Sequence, residues 1–106
     1  MTMKAINIYR YYFFSSRNRP DHARAVIQFW GDDGYLGAAI FYDDDHTLPP
    51  AIQYSSGIIG LNYHMSEFQP ILDMLRNEKP VYIHYNGELN SRLTTSGEPV
   101  GEGEIT

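Results

Sequence analysis

Alternation with a period of two governs the first two-thirds of the chain. Residues 6–14 are dense in β-branched and aromatic side chains, from Ile6 and Ile8 through Tyr9, Tyr11 and Tyr12 to Phe14, and such side chains suit a pleated, half-buried surface. They predict a strand. Residues 15–22 are polar and contain Pro20, which cannot donate to a ladder, so they read as an exposed loop carrying Arg17 and Arg19. Residues 25–30 form a second predicted strand. Gly31, Asp32, Asp33 and Gly34 tolerate the positive φ of a tight hairpin, and residues 35–42 return as a third strand. Three successive aspartates and a Pro-Pro pair mark residues 43–50 as a surface loop. Apolar and aromatic stretches at 52–54 and 58–63 flank Ser55, Ser56 and Gly57; this is a hairpin or one strand bent at a glycine bulge, the hairpin being preferred.

The period then changes. Phe68, Ile71, Leu72 and Leu75 fall at i, i+3, i+4 and i+7, which places four apolar side chains on one helical face. A helix is predicted over residues 67–78. Ser66 and Gln69 have the spacing of a capping box, Pro70 falls in the first turn where its missing N–H costs little, and Pro80 ends the helix after Arg76 and Lys79. Residues 81–85 alternate again, with Val81, Ile83 and Tyr85 on one side. Asn86-Gly87 is a turn signal, and residues 92–95 predict a short closing strand. From Ser96 the chain offers nothing to bury, so residues 96–106 are expected as a mobile Gly/Glu-rich tail on a single domain spanning 1–95. The expected class is α+β: a mostly antiparallel sheet of five to seven strands with one amphipathic helix packed on it.

Composition narrows what such a domain does. With 106 residues there is room for one core, and a domain of this size buries roughly two-thirds of the surface its unfolded chain exposes. Ligand sites therefore belong on the surface or between subunits. The absence of cysteine removes disulfides, thiolate nucleophiles and Cys-containing zinc sites. Met1 to Ala5 leads into polar and aromatic sequence with no apolar h-region, and no apolar run reaches membrane-spanning length, so a cytoplasmic protein without membrane contact is expected. Eight Lys and Arg stand against 13 Asp and Glu, a net charge of -5. Residues 1–24 nevertheless carry Lys4, Arg10, Arg17, Arg19 and Arg24 against Asp21 alone. One region is basic while the remainder repels polyanions.

Catalytic constellations are weak. Asp43, Asp44 and Asp45 beside His46 supply oxygens for a hard cation, which makes a metal-dependent hydrolase at residues 43–46 the third-ranked reading, but consecutive loop residues point in different directions. His22, His46, His64 and His84 show no i, i+4 pair; His64 and His84 lie on or beside strands that neighbour each other if the sheet order allows. No serine sits on a strand-to-helix elbow, and Gly57 to Gly60 encloses two isoleucines where a phosphate cradle needs open backbone amides. A non-enzymatic role without cofactor is expected.

Aromatic density points further. Nine tyrosines, five phenylalanines and one tryptophan make 14% of the chain. On a strand Tyr9, Tyr11 and Phe13 share one face while Tyr12 and Phe14 share the other, so one layer cannot hide them all. The leading reading is a small binding or assembly module in which a second copy covers the surplus rings as a homodimer. The alternative is a single-stranded nucleic-acid binder using Tyr9, Arg10, Tyr12, Arg17, Arg19, Arg24 and Trp30. Several antiparallel strands followed by a capped amphipathic helix, over residues 25–78, resemble in topology the Whirly and transcriptional-coactivator type of single-strand-binding module. That resemblance implies paired subunits offering sheet surfaces to nucleic acid, and it requires Arg10, Arg24 and Arg92 to align with Tyr12 or Trp30.

Overall fold

A computed structural model of the protein describes residues 1–97 and residue 100. Its elements are β1 (Thr2–Ala5), β2 (Ile8–Phe13), β3 (Ala23–Gly31), β4 (Gly34–Tyr42), β5 (Ile52–Gln53), β6 (Ile59–His64), a 3₁₀ turn at Met65–Glu67, α1 (Phe68–Asn77), β7 (Val81–Tyr85) and β8 (Arg92–Thr95). The strands form a five-stranded sheet in the order β2-β3-β4-β6-β5 and a three-stranded sheet in the order β1-β7-β8. The expected α+β class with one helix is what forms, but the described residues make eight strands divided between two sheets in place of a single sheet of five to seven.

The additional strand is β1. Its sequence lacks the aromatic density of β2, and it is a strand because β7 offers it a partner, with Thr2 opposite Tyr85 and Ala5 opposite Tyr82. The chain changes sheets over two residues. The Ile6 N–H donates to the Val81 carbonyl at 2.9 Å and the Asn7 N–H to the Trp30 carbonyl at 2.8 Å. The expected β5/β6 hairpin is present, closed by the Tyr54 N–H on the Ile58 carbonyl at 2.9 Å. Because β5 occupies the outer edge of β6, β6 runs parallel to β4, a pairing that hairpin signals do not announce. Gly37 permits it: at φ +147° a Cβ there would stand 1.9 Å from the Ile59 carbonyl oxygen.

The helix boundaries fall within a residue of expectation, but the cap differs. Met65 already opens a 3₁₀ turn, which moves the N-terminal position back to His64 and makes Glu67, three residues on, the reciprocal partner. The Glu67 carboxylate accepts the His64 backbone N–H at 3.2 Å. The Ser66 N–H donates to Asp44 Oδ1 at 2.9 Å and the Gln69 side chain to Asp73 at 2.8 Å, so the Ser66–Gln69 box expected from spacing does not form.

One face of the five-stranded sheet, here called the inner face, carries Ala25, Ile27, Phe29, Ala39, Phe41, Ile59 and Leu61, all buried. Phe68, Ile71 and Leu72 of α1 cover it together with Ile83 and Leu93 of the smaller sheet. Phe68 meets Phe41 and Phe13 at 4.9 Å between ring centroids and Tyr11 at 5.8 Å, which seats the helix beside β2. The smaller sheet is fixed by the Tyr63 hydroxyl, which accepts the Leu93 N–H at 3.3 Å. Burial pushes that hydroxyl's pKa up. Among the described residues no helix is long and apolar enough to cross a membrane. The tail expected from Ser96 lies for the most part outside the described residues. Leu72 is 4% exposed at the centre of this core, so Leu72→Ala should cost about 2–5 kcal/mol in urea unfolding; a loss below about 1 kcal/mol would remove α1 from the core.

Candidate binding surface

Strand alternation divides β2 between the two faces. Tyr9, Tyr11 and Phe13 stand opposite Phe29, Ile27 and Ala25 on the inner face, while Ile8, Arg10 and Tyr12 stand opposite Trp30, Gln28 and Val26 on the outer face. The Arg10 guanidinium is held by Gln28 Oε1, at 3.2 Å from Nε and 2.7 Å from Nη2. Its Cζ lies 5.9 Å from the Tyr12 ring centroid and 6.0 Å from that of Trp30, within cation–π range. Trp30 in turn meets Tyr35 edge to face at 5.4 Å. Ile8, Arg10, Trp30, Gly31, Asp32 and Gly34 line an open depression of about 440 Å³, and Ile8 is 63% exposed in it.

The far end of the same face is closed by the chain itself. The Asn62 side-chain amide donates to the Pro49 and Pro50 carbonyls, both at 3.1 Å, while its oxygen accepts the Tyr42 hydroxyl at 3.0 Å. The loop is thereby tied across β4 and β6. The His46 ring stacks on Tyr42 at 5.4 Å and on His22 at 4.5 Å, and its carbonyl lies 2.8 Å from His64 Nε2. Burial raises the Tyr42 pKa. Arg24 Nη1 donates to Asp43 Oδ1 at 2.8 Å, and this hydrogen bond draws the Asp43 carboxyl below the ordinary carboxylate range.

The seven candidate residues therefore separate. Arg10, Tyr12 and Trp30 come together on the open part of the outer face. Arg24 lies at the irregularity in the β3/β4 ladder between Ala23 and Ala25 and is committed to Asp43. Arg19 lies 3.7 Å above the Phe14 ring and pairs with Asp21 at 2.8 Å, and Arg17 is exposed on the same loop. Tyr9 faces inward and packs against the core, because its register partner is Phe29. Arg92 belongs to the smaller sheet, where it donates to Asn90, so the alignment with Tyr12 or Trp30 that the Whirly-like resemblance requires does not form. The parallel β4/β6 pairing departs from that resemblance as well.

Two of the three consecutive aspartates are committed as well. Asp43 faces Arg24 and Asp44 faces the Ser66 amide, so the aspartate run diverges as loop geometry dictates. Among the described residues no three His, Asp or Glu side chains are placed to share a metal ion. His64 and His84 lie in different sheets and are not cross-strand partners. The His22–His46 stack went unanticipated. The two histidines are far apart in sequence and meet because Ala23 pairs with Tyr42, which brings the chain just before β3 against the chain just after β4. The signal in the sequence is the predicted antiparallel pairing of residues 25–30 with 35–42, which sends the two flanking loops carrying His22 and His46 out at the same end of the sheet.

Comparison with known proteins finds that no family model, no curated protein and no solved structure matches the chain.

Because the Asp43 pKa is lower in the folded chain, its contribution to stability is complete above the unfolded-state value of about 3.9 and is lost as pH falls through the folded value. The stability difference between the protein and Asp43→Asn, followed by urea unfolding, should therefore hold its full value above about pH 5 and shrink below about pH 4. A difference that does not change with pH would place Arg24 elsewhere in solution.

Proposed function

We propose that the protein is a non-catalytic binding and assembly module that works as a homodimer. The observation that carries this reading is the set of apolar side chains the chain leaves uncovered along the β2 edge of its larger sheet, Ile8 on the outer face and Tyr11 and Phe13 on the inner face. Ile8 is 63% exposed and Phe13 56%, and Tyr11 and Tyr35 are exposed beside them on β2 and on the adjoining hairpin. Large apolar side chains left exposed along one sheet edge of a small domain mark an interaction site. The depressions along it are shallow and open, a shape suited to another macromolecule more than to an enclosed reacting molecule. The polar groups with chemical potential, His22, His46, Tyr42 and Asp43, are engaged in stacking, hydrogen bonding and ion pairing at the closed end.

A nucleic-acid role has one supporting observation, the Arg10 guanidinium held beside the Tyr12 and Trp30 rings. The charge count opposes it. Affinity for a polyanion grows with the number of phosphates neutralised, and Arg19 and Arg24 already face Asp21 and Asp43. Asp32 adds a negative charge beside the platform. Light scattering at micromolar concentration should report twice the chain mass, and a single species of chain mass would refute the assembly reading. Fluorescence anisotropy with labelled single-stranded oligonucleotides at low salt should show no binding; saturable binding that weakens steeply with salt would restore the nucleic-acid reading.

A further inference from the structure

We infer that the homodimer forms by antiparallel pairing of β2 with β2 of a second copy, with Tyr11 on the two-fold axis and the two five-stranded sheets joined into one. This rests on the assembly reading above and specifies its interface. β2 is an edge strand of the larger sheet, and an edge presents a row of backbone groups ready to pair. Which groups face outward follows from the ladder. The Phe14 N–H donates to the Arg24 carbonyl at 3.0 Å, so the even-numbered residues of β2 bond to β3, and the amides and carbonyls of Tyr9, Tyr11 and Phe13 point to the open edge.

A two-fold axis restricts how these groups meet. Outward residues must pair with outward residues, and opposed side chains must share a face. Centring on Tyr11 sets Tyr9 opposite Phe13 of the second copy and uses all three outward residues of each strand. Centring on Arg10 or on Tyr12 leaves some of them without a β2 partner. The Arg10-centred register also sets two guanidinium groups against each other, and like charges directly opposed are destabilising. In the Tyr11-centred register Arg10 lies across from Tyr12 of the second copy, extending the cation–π contact it already makes within its own chain at 5.9 Å.

Beneath the edge the inner face supplies the matching space. Tyr11, Phe13, Met65, Phe68 and Leu72 line a groove of about 400 Å³ between β2 and α1. Inward-facing side chains of a strand added to β2 enter this groove. In the Tyr11-centred register these are Tyr9, Tyr11 and Phe13 of the second copy, rings meeting an apolar wall to which Ser66, Gln69 and Arg76 add polar groups, and the two copies fill each other's grooves reciprocally. The single occupant is therefore a second copy of this chain. The exposure of Phe13 and Tyr11, 56% and 38%, is what a separated half of such an interface displays.

The cysteine-free chain allows a direct test. Opposed residues of a hydrogen-bonded antiparallel pair have Cα atoms about 5.5 Å apart, inside the range a disulfide spans. Tyr11→Cys in the full chain should convert to a covalent dimer under glutathione disulfide, whereas Ala38→Cys, in the middle of the outer face, should stay uncrosslinked. In case Tyr11→Cys folds poorly, hydrogen exchange on the unsubstituted chain reads the same edge: the amides of Tyr9, Tyr11 and Phe13 should exchange at least about tenfold faster on dilution to monomer. A doubled mass with crosslinking at Ala38 alone, or with edge amides whose exchange ignores concentration, would overturn the edge interface and leave the assembly reading standing. A monomer at all concentrations would overturn both.

Discussion

A β-sheet has two faces, and this chain owns enough apolar cover for one of them. The inner face of β2 to β6 meets both α1 and the three-stranded sheet, and there Ile27, Phe29, Ala39 and Phe41 reach complete burial. The outer face receives one loop. Its reach is set by Asn62, which ties the Pro49 and Pro50 carbonyls down over Tyr42 and stops short of Trp30. The rest of the structure follows from that imbalance. One end of the outer face is sealed by polar and histidine contacts, and the other is left to Ile8, Arg10, Tyr12 and Trp30.

The division of labour among the arginines has the same origin. Arg10 and Arg24 stand on neighbouring strands, yet Arg24 pairs with Asp43 while Arg10 bonds to Gln28. A carboxylate beside Arg24 fixes its charge in an ion pair. Arg10, beyond the loop, is held by a neutral glutamine and two rings, and so it stays available to a partner. Surface pairs such as Arg19–Asp21 add little to stability, but they do subtract cationic character from the surface that a polyanion would meet.

Much of this was legible in the sequence, because the local signals were strong where the core is. Alternation located β2, β3, β4 and β7, the Phe68, Ile71, Leu72 and Leu75 spacing located α1, and the opposite faces of Tyr11 and Tyr12 followed from strand geometry alone. What escaped depends on distant partners. β1 is a strand because β7 lies beside it, β6 runs parallel to β4 because β5 takes the other edge, and the 3₁₀ turn at Met65 shifts the helix cap by two residues to His64. Tyr9 belongs to the core and not to the binding surface, because its register partner is Phe29 and no local signal in β2 fixes which face turns inward.

In the proposed assembly a second copy covers β2's ring-bearing edge, and radical footprinting of aromatic side chains at nanomolar and micromolar concentration measures that cover directly. The account predicts that labelling of Tyr11 and Phe13 falls as concentration rises, while the fully buried Phe29 and Phe41 stay unlabelled throughout. Equal labelling of Tyr11 and Phe13 at both concentrations would contradict it.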